Sequence, residues 1–389
     1  MTHAMNVACI LDPAAPRKFD TSVIRELFAS VQLITPTLLL SRSAIERNFD
    51  SLRVALPRTE IHYAVKSNDH PTILRTVYDR GGSFDVCSVR EIDTVLQTGI
   101  DPSRLIHSHP IKSLAEFDQA VARGVQVFVV DNIDEIEKLR RYTNCRLKVI
   151  IRYRISTNST AVVNLQYKFG CMVDEVLPLA QKIRDTGHEF YGLAFHIGSQ
   201  CVYVENYLRA IDAAQDLIHQ LDIADLNTSM LDIGGGFPVE YVQPVPMIDQ
   251  FCDPIRKALK KQIRPGIRVI CEPGRLISAS PVTLACSVIG KAFRDGKMWY
   301  YLDDGLYSTF SGIVYDQCQY PVISGGTGPE ILSVLAGPTC DSFDVMYDGL
   351  LIPEQQIGDK LVFPLTGAYC AVSGSDFNSL ARPEYRIID

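Results

Sequence analysis

Lys66 ends a short apolar run, residues 61–66, and is followed at once by Ser67 and Asn68. A lysine in this position is usually the point at which a buried strand meets water. Facing the inside of a fold, the same amine would be desolvated, and its lowered pKa would let it form a Schiff base with a carbonyl group. Taken alone, Lys66 fits a strand end better than a catalyst, so the other polar residues decide between the two interpretations.

Polar side chains also lie within or at the ends of later apolar runs. Asp85 lies in the second run, Arg152 ends the fifth, and His196 is near the end of the sixth. Glu272 ends the eighth run, where a buried carboxylate needs a partner, either a structural cation or a protonated pyridine nitrogen. His196 could lie flat against such a ring, although a core histidine explains that residue better when it is viewed alone. Several such residues on one rim would form a site.

Three consecutive glycines, Gly234, Gly235 and Gly236, follow the seventh run. Without side chains, their backbone N–H groups can approach a phosphate closely, although a tight turn would also explain them. The pattern matches neither a dinucleotide-binding motif nor a P-loop. Arg275, beside Gly274, could add a bidentate phosphate contact.

The elements that must position these residues are short, continuous apolar runs, which are typical of strands buried on both faces. The eight runs are residues 61–66, 84–88, 105–108, 125–130, 147–152, 191–197, 230–233 and 269–272. Amphipathic stretches separate them, among them residues 71–78 and 202–221. Eight strands alternating with helices predict an α/β fold, a (β/α)8 barrel. In such a barrel catalytic groups lie at the carboxyl ends of the strands, and a phosphate is commonly held after strands seven and eight.

Helix chemistry is clear just before the first run. Ser43 and Glu46 form a capping-box pattern, and Ile45, Phe49 and Leu52 then fall on one face. This pattern predicts an amphipathic helix that begins at Ser43.

The pattern changes after residue 277. Strand-like runs at residues 282–289, 297–302, 331–335 and 360–365 are separated by turns without long helical patterns, which indicates a mainly antiparallel β domain. We therefore predict a barrel over residues 37–277, and a β domain over residues 1–36 plus 278–389. The N-terminal segment could add a strand to that β domain.

Composition excludes several other classes of protein. The 389 residues are 47% apolar and 21% charged, as in ordinary globular proteins, and the net charge of -7 argues against a nucleic-acid partner. The 11 cysteines are scattered without a C-x-x-C pair, which favours reduced thiols over disulfides or a metal site. No signal peptide or membrane-spanning run is visible, so we expect a cytoplasmic protein without a membrane partner.

Five motifs together resemble ornithine decarboxylase and its relatives, the pyridoxal-phosphate (PLP) decarboxylases with an alanine-racemase-like barrel. The motifs are YAVKSN at 63–68, FHIGS at 195–199, DIGGGF at 232–237, CEPGR at 271–275 and GPTCD at 337–341. They occur in the family's order, and the resemblance runs from about residue 35 to about residue 380.

The resemblance implies a role for each candidate residue. Lys66 would carry PLP, His196 would stack on its ring, and Glu272 would pair with its pyridine nitrogen. The implied phosphate ligands are Ser199, Gly234, Gly235, Gly236, Gly274, Arg275 and Tyr369. Three further residues would lie near Lys66 and the ring: Asp85, Glu91 and Arg152.

Cys340 would protonate the carbanion after carbon dioxide leaves. In the family, Cys340 and Asp341 reach into the partner subunit's site, which implies a homodimer with a shared active site.

The resemblance also narrows the substrate to a basic amino acid. Relatives that act on diaminopimelate usually carry Glu where this chain has Asp341, and Asp316 matches a second acidic residue that holds the distal ammonium. Phe377 would line the pocket, although the chain departs from the family pattern at residues 378–380. The leading hypothesis is decarboxylation of L-ornithine to putrescine, in polyamine biosynthesis. Ornithine and lysine differ by one methylene, worth only about 1–3 kcal/mol in a pocket, so the sequence leaves that choice open.

Alternatives remain from the sequence. They are a lysine, dual lysine/ornithine or arginine decarboxylase, a catalytically inactive regulatory homologue, and an amino-acid racemase. Intact Lys66, Cys340 and Asp341 argue against the inactive homologue. A racemase would normally need a tyrosine base at the position of Cys340.

Overall fold

The computed structural model describes residues 33–155, 168–325 and 328–389. These residues form two units. One comprises residues 44–239 and 245–277, and the other comprises residues 33–43, 240–244 and 278–389, within the described ranges. Within those ranges, no helix is both long and apolar enough to cross a membrane.

The first unit is built on a closed, eight-stranded parallel barrel. Counting from the chain's first strand, β1 (Thr37–Leu40), the barrel strands are β2 (Thr59–Ala64), β3 (Ser83–Val86), β4 (Leu105–His107), β5 (Val127–Val130), β6 (Lys148–Arg152), β7 (Glu189–Ala194), β8 (Met230–Asp232) and β9 (Arg268–Cys271). Each predicted run coincides with one of these strands, so the predicted barrel is confirmed. The strands share an apolar cluster that includes Ile106, Ile150 and Ile270, as expected where alternate side chains fill a barrel.

Helices connect the barrel strands. They are α1 (Arg42–Ala55), α2 (Pro71–Asp79), α3 (Val89–Gln97), α4 (Leu114–Ala122), α5 (Ile133–Leu139), α6 (Val176–Asp185), α7 (Glu205–Ile223), α8 (Ile248–Gln262) and the short α9 (Arg275–Ser278). Helix α1 buries Ile45, Phe49 and Leu52, as its spacing predicts. Its start differs from the prediction, because Ser43 lies in the first turn rather than before it. The amides of Arg42 and Ser43 donate to the carboxylate of Asp389.

The second unit is a mixed, mainly antiparallel sheet. Its elements are β10 (Val282–Arg294), β11 (Lys297–Leu302), α10 (Ser311–Tyr315), β12 (Ile323–Ser324), β13 (Glu330–Ala336), β14 (Val345–Pro353), β15 (Lys360–Pro364) and β16 (Glu384–Ile387). The sheet order is β12-β15-β10-β11-β13-β14, and β1 pairs with both β10 and β16. The long β10 connects the sheet because its first half pairs with β1 and β15 and its second half with β11.

The four predicted strands after residue 277 match β10, β11, β13 and β15, whereas β12, β14 and β16 were not predicted. The observed division also falls at residue 44 rather than residue 37, because the buried run Thr37–Leu40 pairs in the sheet. Residues 1–32, which the sequence assigns to this domain, lie outside the described residues.

Candidate active site

Lys66 lies in a single 3₁₀ turn, Val65–Ser67, directly after β2. The register between β2 and β3 places Ala64 beside Asp85, which brings the two side chains to the same end of the barrel. Lys66 Nζ donates to Asp85 Oδ2 at 2.7 Å, and Asp85 is fully buried while the lysine side chain is 34% exposed. The amine is therefore both anchored by a carboxylate and reachable from the barrel mouth.

The loop after β3 and the first turn of α3 add a thiol and a carboxyl group near this amine. The Cys87 thiol lies 3.6 Å from Lys66 Nζ, and burial raises the pKa of Cys87 to about 12, so the thiol stays protonated. The Cys87 amide donates to Glu91 Oε2 at 2.7 Å, and burial raises the pKa of Glu91 to about 7. Asp85 Oδ1 is buried without a hydrogen-bond partner. One carboxylate oxygen thus remains available to a bound molecule.

Arg152 and His196 come from β6 and from the loop after β7. Arg152 Nη2 is buried without a hydrogen-bond partner, and the guanidinium carbon lies 5.3 Å from the Phe169 ring. His196 Nδ1 accepts the Gly198 amide at 3.0 Å. Burial, together with the charges of Arg152 and Lys66, holds the pKa of His196 well below its usual value. The imidazole is therefore neutral, which suits a ring that stacks on another flat ring.

The three glycines pass directly over the carbonyl oxygens of neighbouring loops. A Cβ added at Gly234 would lie 2.4 Å from Phe195 O, and one at Gly236 would lie 2.1 Å from Gly198 O. At Gly235 it would lie 2.3 Å from Glu272 O. These distances are shorter than any real contact of a Cβ atom, so the turn requires glycine at all three positions.

Ser199 and Arg275 meet beside this turn. Arg275 Nη2 lies 3.2 Å from Ser199 Oγ, which joins the loop after β7 to the first residue of α9. Arg275 is buried, so its guanidinium group is shielded from bulk water. The predicted phosphate ligands Ser199 and Arg275 are therefore adjacent, at the end of the barrel where a phosphate is usually held.

Asp232 is a buried site residue that the sequence did not single out. It ends β8, and its Oδ1 accepts the Gly234 amide at 2.8 Å. Its side chain also hydrogen-bonds Glu272, and burial raises the pKa of Asp232 to about 7. The sequence does carry a signal, since Asp232 interrupts the seventh apolar run, residues 230–233, as Asp85 interrupts the second.

Four of these groups line one cleft. Its lining residues are Ser108, Val129, Arg152, Ala194, Phe195, His196, Asp232 and Glu272. The residues at this end of the barrel fit PLP, because Asp85 and Arg152 each present a buried polar atom without a hydrogen-bond partner that a polar flat ring could contact. The glycine turn and Arg275 offer donors for a phosphate, and Lys66 offers an amine for the aldehyde.

Lys112, a buried lysine, shows whether burial alone selects the cofactor lysine. Burial lowers the pKa of Lys112 to about 7, a value that suits a nucleophilic amine. Its Nζ, however, donates to three backbone carbonyls, those of His109, Pro110 and Val129, at 2.7 to 2.9 Å. The three donors of this ammonium are thus fully used, and Lys112 is only 2% exposed. Lys112 therefore ties the loop after β4 to β5.

Five further predicted residues lie in the second unit. Cys340 is exposed, and its amide donates to Asn378 Oδ1 at 3.0 Å. The neighbouring Asp341 accepts a hydrogen bond from the Tyr307 hydroxyl, and the Tyr307 ring stacks on Phe377 with 4.4 Å between centroids. The structure thus groups Cys340, Asp341 and Phe377.

The other two predicted residues, Asp316 and Tyr369, lie elsewhere in the second unit. Asp316 follows α10, and its amide donates to Gly312 O at 3.0 Å. Tyr369 has a positive φ of 57° and accepts a hydrogen bond on its carbonyl from Ser373 Oγ. Tyr307 was not predicted, because an isolated tyrosine gives no sign of the aspartate that it contacts.

The glycine turn yields a first prediction. Gly235→Ala should lower the free energy of unfolding by about 1–3 kcal/mol and weaken PLP binding, because its methyl group would press on the Glu272 carbonyl. Thermal unfolding and a spectroscopic PLP titration would measure both effects. Gly328→Ala is the matched control, since both positions lack a positive φ and nothing lies within 4 Å of a Cβ at Gly328. Equal behaviour of the two variants would contradict the steric explanation.

Comparisons with known proteins agree with this geometry. Residues 42–279 match the family model of the pyridoxal-dependent decarboxylase, pyridoxal binding domain. A lysine/ornithine decarboxylase of Selenomonas ruminantium is 36% identical over 347 residues, covering 88% of this chain and 87% of that protein.

Solved structures give the same result. The lysine/ornithine decarboxylase of Vibrio vulnificus complexed with cadaverine has a TM-score of 0.90 at 38% identity, covering 95% of this chain and 100% of that chain. The arginine decarboxylase of Paramecium bursaria Chlorella virus has a TM-score of 0.87 at 30% identity, with coverage of 95% and 100%. These matches confirm the predicted fold class, PLP as the cofactor, and a decarboxylase of basic amino acids. The chain belongs to the PLP-dependent decarboxylase family of ornithine decarboxylase and its relatives.

Proposed function

We propose that the enzyme converts L-ornithine to putrescine and carbon dioxide, and that it accepts L-lysine as a second substrate. The observation that carries this proposal is the pairing of Cys340 with an anionic Asp341. The Phe343 amide and the Tyr307 hydroxyl hold the pKa of Asp341 below its usual value, so the carboxylate is charged at neutral pH. The relatives from Selenomonas ruminantium and Vibrio vulnificus are both lysine/ornithine decarboxylases.

The barrel geometry supports the cofactor contacts that we propose. Lys66 would hold PLP covalently, His196 would stack on its ring, and Glu272 would face the ring nitrogen. Asp85 and Arg152 would use their unpartnered buried atoms beside the ring. The proposed phosphate ligands are Ser199, Gly234, Gly235, Gly236, Gly274, Arg275 and Tyr369. When bound, PLP supplies the electron sink for the bond that breaks as carbon dioxide leaves.

The remaining chemistry is assigned to the second unit. Cys340 would donate its thiol proton to the carbon that has lost carbon dioxide. Asp341 and Asp316 would bind the distal ammonium of the substrate, and their charges would offset its desolvation in a partly dry pocket. Phe377 would contact the methylene chain. A neutral side chain would leave both carboxylates unpaired, so such substrates would be rejected.

We also propose a homodimer in which Cys340 and Asp341 complete the partner's site. Large apolar side chains of the second unit are exposed close to Asp341: Phe343 follows it by two residues in the chain, and Phe377 stacks on Tyr307, whose hydroxyl donates to Asp341. Phe343 is 59% exposed and Phe377 is 39% exposed. These apolar side chains would be shielded from water at a subunit interface, and an isologous dimer would give both copies the same contact.

Carbon dioxide release from ornithine, lysine, arginine and diaminopimelate, measured side by side, tests the proposed substrate. We expect the highest kcat/KM with ornithine, and a value about 10–200-fold lower with lysine, because one methylene is worth about 1–3 kcal/mol. Asp341→Asn should reduce kcat/KM for ornithine by about 30-fold or more, because it leaves the substrate ammonium without a charged partner.

Asp348→Asn is the matched control, since Asp348 is an exposed aspartate that pairs with Lys297 in the same unit. That variant should behave like the wild type. Release from diaminopimelate alone would overturn the proposed role of Asp341, as would an Asp341→Asn enzyme that kept full activity on ornithine.

A further inference from the structure

Asp232 and Glu272 are two buried carboxyl groups on neighbouring strands of the barrel. β8 and β9 pair with Asp232 opposite Ile270, and the Glu272 amide then donates to the Gly234 carbonyl at 2.9 Å. The two side chains hydrogen-bond each other. Asp232 is 1% exposed and Glu272 is 8% exposed, so neither carboxyl group can turn to bulk water.

The orientation of the pair is fixed from one side. Asp232 Oδ1 accepts the Gly234 amide at 2.8 Å, and the glycine turn packs so closely against backbone carbonyls that a Cβ at Gly234 or Gly235 would overlap them. Glu272 lines the cleft together with Asp232. The contact with Asp232 therefore restricts the direction in which the Glu272 carboxyl group can point.

A hydrogen bond between two carboxyl groups requires a proton on one of them. Two carboxylates in contact at low dielectric do not both ionise at neutral pH. Burial raises the pKa of Asp232 to about 7, and burial and the charge of Asp232 raise that of Glu272 well above its usual value. Because the groups are coupled, the proton belongs to the pair rather than to one residue.

The other charges that face the pair partly cancel. Asp85 raises the pKa of both carboxyl groups, whereas Lys66 lowers that of Glu272 and Arg152 lowers that of Asp232. The His196 imidazole is neutral, and burial keeps the Cys271 thiol protonated by raising its pKa. The surroundings thus do not remove the shared proton.

We propose that Asp232 is a positioning residue that acts through Glu272: the two carboxyl groups share one proton in the cofactor-free enzyme, and on PLP binding this proton would pass to the unprotonated ring nitrogen, which leaves Glu272 anionic opposite a protonated ring. Without the shared proton, the site would carry three carboxylates and would repel the anionic phosphate of PLP more strongly. This inference rests on the proposed position of the ring nitrogen at Glu272.

Infrared difference spectra of the full-length protein, with PLP bound and after its removal, test the inference. The carbonyl stretch of a carboxylic acid is separate from the bands of a carboxylate. We expect an acid band in the cofactor-free enzyme at neutral pH that is lost when PLP binds. Asp232→Asn keeps an acceptor for the Gly234 amide but removes the negative neighbour. The pH at which the Glu272 acid band disappears should therefore fall by about one unit or more.

Two other variants complete the experiment. Asp131→Asn is the matched control, because Asp131 is also buried and its Oδ2 accepts the Gly170 amide at 2.8 Å. That variant should leave the acid band unchanged. Glu272→Gln should abolish the wild-type titration of the carboxylic-acid band. This variant provides the test if Asp232→Asn does not fold.

The inference would be overturned by a wild-type enzyme without an acid band at neutral pH, or by an Asp232→Asn band that titrates like the wild type. The infrared bands do not depend on decarboxylation. A failure of the proposed substrate would therefore leave this result intact, and a failure of the carboxyl pair would leave the proposed substrate intact.

Discussion

Lys66→Ala should lack the visible absorbance band of lysine-bound PLP and should lose decarboxylase activity by about 10³-fold or more. The physical reason is the position of the amine. Lys66 Nζ is held 2.7 Å from Asp85 Oδ2 at the carboxyl ends of β2 and β3, and its side chain is partly exposed at the barrel mouth. Absorbance spectra and carbon dioxide release from the purified variant measure the two losses.

Lys66→Arg distinguishes the covalent role of the Lys66 amine from the effect of its positive charge. Arginine keeps a cation beside Asp85, but it is not deprotonated in proteins and cannot form a Schiff base. We expect this variant to fold and to lack the band. A Lys66→Arg protein with a wild-type band would show that Lys66 only balances the charge of Asp85.

Cys340→Ala should bind PLP with a normal spectrum but should release the amine product about 10²–10⁴-fold more slowly, the usual loss when a general acid is removed. The thiol lies in the second unit, outside the barrel cleft that holds the proposed PLP ligands. Cofactor titration and product formation would separate the two effects. Equal loss of PLP binding and product formation would reject Cys340 as the proton donor.

Mixing two inactive variants tests whether the active site is shared. Random association of Lys66→Ala and Cys340→Ala chains makes half of the dimers mixed, and one of the two sites in each mixed dimer is intact. The mixture should therefore recover about a quarter of the wild-type activity. No recovery after subunit exchange, verified by differently tagged chains, would show that each site is built from a single chain.

The barrel could be predicted from the sequence because its strands are buried on both faces and form continuous apolar runs. β14 could not, because Gly349 interrupts it. Gly349 has a positive φ of 91°, and the register with β13 skips it between Asp348 and Leu350, which marks a β-bulge. The Asp-Gly pair resembles a turn in the sequence, although the strand continues through it.

The sequence predicts those site residues that can be recognised individually, from their position at the end of an apolar run. Lys66 and Glu272 each end an apolar run, so strand direction alone places them on the same rim. The roles of Asp232, Tyr307 and Lys112 depend instead on partners distant in the chain, such as the Val129 carbonyl, which accepts from Lys112 Nζ. The sequence shows the residue types but not these contacts.

Borohydride reduction of the PLP-bound enzyme, followed by peptide mapping by mass spectrometry, tests the central claim most directly. Reduction fixes the cofactor to the amine that holds it. The label should be found on the peptide that contains Lys66. A label on Lys112, a buried lysine whose pKa is lowered to about 7, or the absence of any labelled lysine would contradict the proposed role of Lys66.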